Sequence, residues 1–217
     1  MYWDKKYESN EQVWGNEPSE LAVIATNIIL EHFPNRKSLD IIDIGCGYGR
    51  DSIFLGKHID RNVIGVDMSQ KGIEIANSSL TGEQNISFIC CDFTDISMTK
   101  FDIVFASNLY QVLRFEEREK FRNTISNLMK PQGWLFMNSL SVNDPEEYGK
   151  GERCLDDPHS FQKEKFLHFC TKDEFTRDFC FLDIRELYEH EYIEPRSQGK
   201  NHHHISWILI GAARHIT

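Results

Sequence analysis

Apolar positions recur at spacings of three and four from Leu21 onward. Leu21, Ile24, Ala25, Ile28 and Ile29 form one stripe, and Pro34 ends the run. That spacing predicts a helix opening after Pro18 with one buried face. The pattern then shortens. Residues 39–44, Leu-Asp-Ile-Ile-Asp-Ile, are a short, largely apolar run of strand length that leads into Gly45, Gly47 and Gly49. A helical stretch follows to about His58, and 62–67 reads as a second strand. Ser69 is placed to cap the next helix, which carries Ile73, Ile75 and Ala76 and ends near Gly82. Residues 86–91 and 101–106 are the third and fourth strands. An amphipathic helix lies between about Glu116 and Met129 and is closed by Pro131; residues 133–138 make a fifth strand. Glu116 to Lys120 reads as its solvated face, with Glu116 and Lys120 four apart.

Apolar strands alternating with helices of about a dozen residues predict βαβ units, a doubly wound α/β fold and a parallel sheet buried on both faces. The second half departs from this rhythm. Residues 141–170 are polar, hold Asp144-Pro145, Gly149, Gly151 and Asp157-Pro158, and show no strong period. Such a stretch within a compact domain reads as a functional lid or a disordered loop. Thr171 and Glu174 form a capping-box pair that opens one more helix. Two β-rich segments, 181–193 and 205–213, close the chain as a hairpin. Their connection holds Pro195, Gly199 and the triplet His202, His203, His204. Residues 1–17 are polar yet carry Tyr2, Trp3, Tyr7 and Trp14, more aromatic surface than a free tail needs. The chain reads as one domain, 1–217: an N-terminal cover and helix (1–37), a binding core (38–140), a lid (141–170), and a helix with the terminal hairpin (171–217).

Composition narrows the function. The 217 residues suffice for one domain with a sizeable core. Lys plus Arg number 24 and Asp plus Glu 34, a net charge of −10. A chain that grips nucleic acid or an anionic membrane by charge would be basic, so neither partner is expected. No apolar run approaches the roughly 18–20 residues needed to span a bilayer. The first residues lack the apolar core of a signal peptide, which points to the cytoplasm. Cys46, Cys90, Cys91, Cys154, Cys170 and Cys180 make no CxxC pair, and Cys90 and Cys91 read as buried thiols.

The candidate chemistry sits at strand ends. Asp43-Ile-Gly45-Cys46-Gly47-Tyr-Gly49 stands where the first strand meets the first helix of the core. Glycines there let the backbone turn tightly and approach a ligand, and the helix that follows offers free N–H groups and a positive dipole end. The dinucleotide fingerprint wants Gly or Ala five residues after the first glycine, but that position is Arg50. Asp67 ends the second strand about 20 residues on, where a carboxylate can accept from both ribose hydroxyls. Asp92 follows the third strand, placed to accept from an adenine amino group while Phe93 covers the base.

These residues resemble the class I S-adenosylmethionine-dependent methyltransferases. Asp43-x-Gly45-x-Gly47-x-Gly49 is similar to that family's first motif, with Cys46 within it, and implies backbone contact with the methionine part of the cofactor. Asp67 with Met68 matches the ribose-binding position and its neighbour beside the adenine. Cys91-Asp92-Phe93 matches the adenine-edge motif, 101–108 with Asn108 at its end resembles the strand-four motif, and 128–133 resembles the loop before strand five. The resemblance implies a Rossmann-like seven-stranded sheet, mostly parallel with an antiparallel C-terminal strand. It implies S-adenosylmethionine as cofactor and a small-molecule acceptor. The segments 2–7 and 14–18 are similar to methyltransferases of the tellurite-resistance and thiopurine type. A non-catalytic S-adenosylmethionine-binding protein is the rival reading; an NAD-type oxidoreductase is disfavoured by Arg50 and Asp92.

An activated methyl group needs an aligned nucleophile more than a dedicated base, and no residue declares itself as that base. Tyr110, Asn108, Tyr148 and His168 read as packing or surface residues rather than catalysts. Adjacent strand residues point to opposite faces, so His202, His203 and His204 cannot all converge on one ion, and no metal is expected.

Overall fold

The computed structural model describes residues 1–9, 13–33, 39–96, 100–194 and 201–214. Pro34, Pro195 and Gly199 therefore lie outside the described residues. After α1 (Tyr2–Ser9) and α2 (Glu20–His32) come β1 (Asp40–Ile44), α3 (Arg50–Ile59), β2 (Asn62–Asp67), α4 (Gln70–Ser78) and β3 (Ile86–Cys90). The chain continues through β4 (Phe101–Ala106), α5 (Phe115–Leu128) and β5 (Met129–Leu140). Three short strands, β6 (Glu152–Arg153), β7 (Ser160–Gln162) and β8 (Phe166–His168), precede α6 (Lys172–Asp178), β9 (Leu182–Glu194) and β10 (His202–Ala213).

Seven strands form one sheet in the order β3-β2-β1-β4-β5-β10-β9. β10 runs antiparallel to both neighbours, and the pairings from β3 to β5 are parallel. The alternation of side chains along each strand builds two separate cores. Ile41, Ile103, Phe105, Phe136, Ile208 and Ile210 pack with Leu21, Ala25 and Ile29 of α2 and Leu55 of α3. Ile42, Val104, Leu135, Met137 and Leu209 face the other way, onto Phe121 and Ile125 of α5 and Phe175 of α6. Apolar residues on both faces of the central strands are what helices on both sides of a parallel sheet require. The strand order reverses between β1 and β4, so the crevice above their C-terminal ends is the expected ligand position.

Helix starts follow the sequence signals. Ser19 Oγ accepts from Ala22 N and Ser69 Oγ from Gly72 N. Thr171 Oγ1 accepts from Glu174 N, but the Glu174 carboxylate accepts from His168 Nε2 instead of closing the box.

Four expectations change. Cys90 is exposed and Cys91 half-buried, because among the described residues β3 is an edge strand of the sheet. Arg118 is not part of a solvated face: its guanidinium is buried and makes two hydrogen bonds to Asp157, at 2.6 and 3.0 Å. The fifth strand starts at Met129 rather than after Pro131, with Met129 beside Phe101 in the register. Finally, 141–170 is no structureless loop. β6, β7 and β8 form an antiparallel sheet, and Leu167 and Phe169 pack with Leu140, Val142 and Phe161.

Candidate active site

β1 delivers the glycine loop to the crevice. Gly45 N and Cys46 N both donate to Val66 O on the neighbouring strand, and Gly49 N donates to Cys46 O, so the loop folds back tightly over the strand ends. Gly47 has φ +55° and Gly49 φ +80°, in the left-handed region that favours glycine. At Gly49 a Cβ would stand 2.6 Å from the Phe88 ring and 2.8 Å from Ala76, so α3 can start only where a hydrogen replaces a side chain. The three glycines are needed to bring backbone amides to the edge of the sheet.

Asp67 ends β2 beside that loop. Its two oxygens accept from Gly47 N at 2.9 Å and Ser69 N at 2.7 Å. These bonds fix the carboxylate in place while burial raises its pKa above the usual aspartate value and the hydrogen bonds pull it down. Asp43 lies one turn of backbone deeper, 2% exposed, and accepts from Ser52 Oγ at 2.5 Å. Burial, followed by the field of Asp51, pushes its carboxyl up to about 8. Burial likewise holds the Cys46 thiol protonated, well above its ordinary value.

Asp92 stands after β3, with Oδ1 accepting from Thr94 N and Thr94 Oγ1, both at 2.8 Å. Phe93 meets Phe121 edge-on and is held by the core beneath. Met68 is half-exposed. Asn108 occupies the left-handed region at φ +56°, which asparagine tolerates better than most side chains. Its N–H donates to Asn138 Oδ1 at 2.8 Å, tying the ends of β4 and β5 together.

Asp43, Gly45, Cys46, Gly47, Asp67, Met68, Asp92, Phe93 and Asn108 all line one cavity of about 610 Å³. That volume suits a cofactor with a small acceptor. Asp67 and Asp92 give the cofactor side an acidic lining, complementary to a ligand that carries positive charge, while Asp43 is held neutral by burial. Tyr110, Tyr148 and His168 are not among the lining residues. Tyr110 is buried against Phe121, Phe175 and Phe179, with its hydroxyl between Arg122 and Asp178. His168 is enclosed by Ser160 and Glu174.

The N-terminal aromatics crowd the same loop. Trp14 stacks on Tyr48 with an interplanar angle of 9°, and Tyr7 meets Tyr48 edge-on. Tyr48 Oη donates to Gly15 O, and Arg50 Nη1 donates to Trp14 O and Glu17 O. Arg50, which breaks the dinucleotide pattern, thus anchors the N-terminal segment over the glycines.

In 141–170, the segment expected as a lid, sequence reasoning picked out Tyr148 and His168 rather than the residues that reach the cavity. Glu147, Lys150, Phe161 and Lys165 reach the cavity from 141–170, and Tyr192, Glu194, His202 and His204 reach it from the terminal hairpin. His203 does point away, toward Glu191, as alternation requires. His202 and His204 share the opposite face, because residues two apart on a strand do. His204 donates to Asp144 Oδ2 (2.9 Å) through Nδ1 and to Glu194 Oε2 (3.1 Å) through Nε2. Burial alone would lower the His204 pKa, but the bonds to Asp144 and Glu194 outweigh it and push it up to about 9. The His-x-His spacing and the hairpin were the available signals; the register that sets Glu194 opposite His202 was not.

Residues 41–133 match the family model of a methyltransferase domain. The phosphoethanolamine N-methyltransferase of Plasmodium falciparum is 22% identical over 151 residues, 68% of this chain and 57% of that protein. The ubiquinone biosynthesis O-methyltransferase of Coxiella burnetii is 31% identical over 110 residues, 49% of this chain and 46% of that protein. The chain spans about half the length of these curated relatives. Among solved structures, TehB from Haemophilus influenzae superposes with a TM-score of 0.69 at 14% identity, covering 99% of this chain and 68% of that one. A Burkholderia thailandensis 1,6-didemethyltoxoflavin-N1-methyltransferase, solved with bound 1,6-didemethyltoxoflavin and S-adenosylhomocysteine, gives 0.67 at 16% identity, covering 97% and 85%. Residues 41–133 thus match a methyltransferase domain, and the strand order with its glycine loop and strand-end carboxylates is the fold of these solved structures.

Proposed function

We propose that the protein transfers a methyl group from S-adenosylmethionine to a small molecule held in the same cavity. One observation carries this reading: the ends of β1, β2 and β3 present Gly45 and Gly47, Asp67, and Asp92 to a single pocket that also reaches the hairpin wall. When bound, the cofactor supplies an activated methyl carbon on a sulfonium. The chain's own residues do the rest. The Gly45–Gly47 backbone receives the methionine portion, Asp67 accepts from the ribose hydroxyls, and Asp92 accepts from the adenine amino group between Met68 and Phe93. Asn108, pinned by Asn138, borders the space between donor and acceptor. The N-terminal segment and 141–170 are read as covers that exclude water, and positioning of this kind supplies several kcal/mol of barrier lowering. The size of the cavity and its walls from three segments support a small acceptor over a macromolecular one. The reading includes a cytoplasmic setting, which six free thiols support; among the described residues no helix is long and apolar enough to cross a membrane.

The test is incubation with methyl-labelled S-adenosylmethionine and a metabolite extract, followed by identification of the labelled product. A labelled small molecule is the expected result. Tight binding of S-adenosylhomocysteine with no labelled product from any extract would favour the non-catalytic binder instead.

A further inference from the structure

We propose that Glu194, His202 and His204 form a site for a divalent first-row metal ion of the zinc class on the acceptor wall of the pocket. The placement follows from the hairpin. Ser206 pairs with Leu140 at the C-terminal end of β5, so the residues before Ser206 extend past the sheet edge where the glycine loop lies. His202 and His204 share one face of β10, and the register sets Glu194 directly opposite His202. One ligand atom from each of the three residues lies within 4.8 Å of the other two. His204 Nε2 and Glu194 Oε2 are 3.1 Å apart. Two ligands on a tetrahedral ion with bonds of about 2.0–2.1 Å stand about 3.3 Å apart, so this edge is already close to its metal-bound length. Two imidazoles and a carboxylate are a donor set that zinc and its first-row neighbours take.

A second feature supports a ligand role. The side chain of Asp144 is fully buried, and its Oδ2 meets His204 Nδ1 at 2.9 Å and accepts from Ile205 N at 3.0 Å. Its other oxygen accepts from Glu146 N and Glu147 N. A carboxylate so fixed holds one imidazole proton on Nδ1, the outer-shell arrangement found behind metal-binding histidines, and a bound ion takes the place of the Nε2 proton shared with Glu194, which leaves to solvent. Three protein ligands leave a position for a donor from the cavity. In this respect the inference rests on the proposed methyl transfer. An acceptor with an O–H or S–H group bound there would lose its proton to solvent more readily, leaving the anion to attack the methyl carbon.

The test uses the full chain without affinity-tag histidines, stripped with a chelator and titrated with zinc against a metal indicator. Cobalt(II) serves as the visible probe of coordination. One ion per chain is expected, with His202→Ala and Glu194→Gln each weakening zinc at least tenfold. Asp144→Asn should weaken it on the order of 10–100-fold. His203→Ala, on the opposite face, should change it less than twofold. Glu194→Gln keeps the side-chain shape and decides the matter if His202→Ala does not fold. No stoichiometric binding of zinc or cobalt, or equal loss in His203→Ala and Glu194→Gln, overturns the site. S-adenosylhomocysteine titration of the same samples keeps the two readings apart: zinc bound without it sinks the methyltransferase reading alone, and the reverse sinks the metal site alone.

Discussion

Asp43 carries a carboxyl group into the sheet interior, where charge is costly, and Ser52 Oγ donates to it at 2.5 Å. Its folded pKa of about 8 stands above the ordinary 3.8. The unfolded chain therefore releases this proton first as pH rises, and the native state binds more protons across the interval. Stability contributed by the group is fully present below about pH 4 and is lost as pH rises toward 8, by up to about 1.4 kcal/mol per pH unit. Asp43→Asn keeps an oxygen for Ser52 and removes the titration. Urea unfolding at a series of pH values should show the variant gaining at least about 1 kcal/mol on wild type between pH 5 and pH 8. Parallel profiles would mean that Asp43 is ionised throughout. At this scale the sequence was readable where chemistry and strand ends coincide, as at Asp67 and Asp92. It was unreadable where a partner lies far along the chain. Nothing near Arg118 announces Asp157, 39 residues on, and nothing near Cys90 says that its strand is an edge.

Among elements, 141–170 shows how a polar segment becomes folded structure. Its apolar residues are few, but Phe161, Leu167 and Phe169 meet Leu140 and Val142 in one cluster. The ion pair of Arg118 with Asp157 fixes that cluster to α5, with Arg118 Nη1 also donating to Leu113 O. Burial alone would raise the Asp157 pKa; the guanidinium more than offsets this and holds it below the usual range. Removing one partner of a buried pair leaves an uncompensated charge, a loss of about 3–5 kcal/mol. Arg118→Met should destabilise the protein by that order in denaturant unfolding. The double variant Arg118→Met, Asp157→Leu should recover much of it, because no charge is then left alone. A double variant as unstable as the sum of the two singles would show that the pair has no mutual role. No hydrophobic period could foretell this element, since a charge pair and a seven-residue helix fix it.

For the whole molecule, the N-terminal segment and 141–170 meet across the mouth of the pocket. Lys165 Nζ lies 5.9 Å from the centre of the Trp3 ring, so α1 and the turn before β8 touch above the cavity. A cation–π contact at an exposed position is worth only about 0.5–1 kcal/mol. That contact is therefore cheap to open, while both of its sides are firmly anchored: α1 through Asp4 to Ser69, and the meander through Arg118. A weak contact between two anchored walls suits a pocket that must admit cofactor and acceptor and then exclude water. Hydrogen exchange with and without S-adenosylhomocysteine should show added protection in 1–9, 13–17 and 160–168 as well as in the glycine loop. Trp3→Ala should speed cofactor release several-fold while leaving the unfolding midpoint nearly unchanged, because Trp3 is only half-buried and sits at that contact. Protection confined to the glycine loop, with release from Trp3→Ala at the wild-type rate, would sink the cover and make room for a larger acceptor.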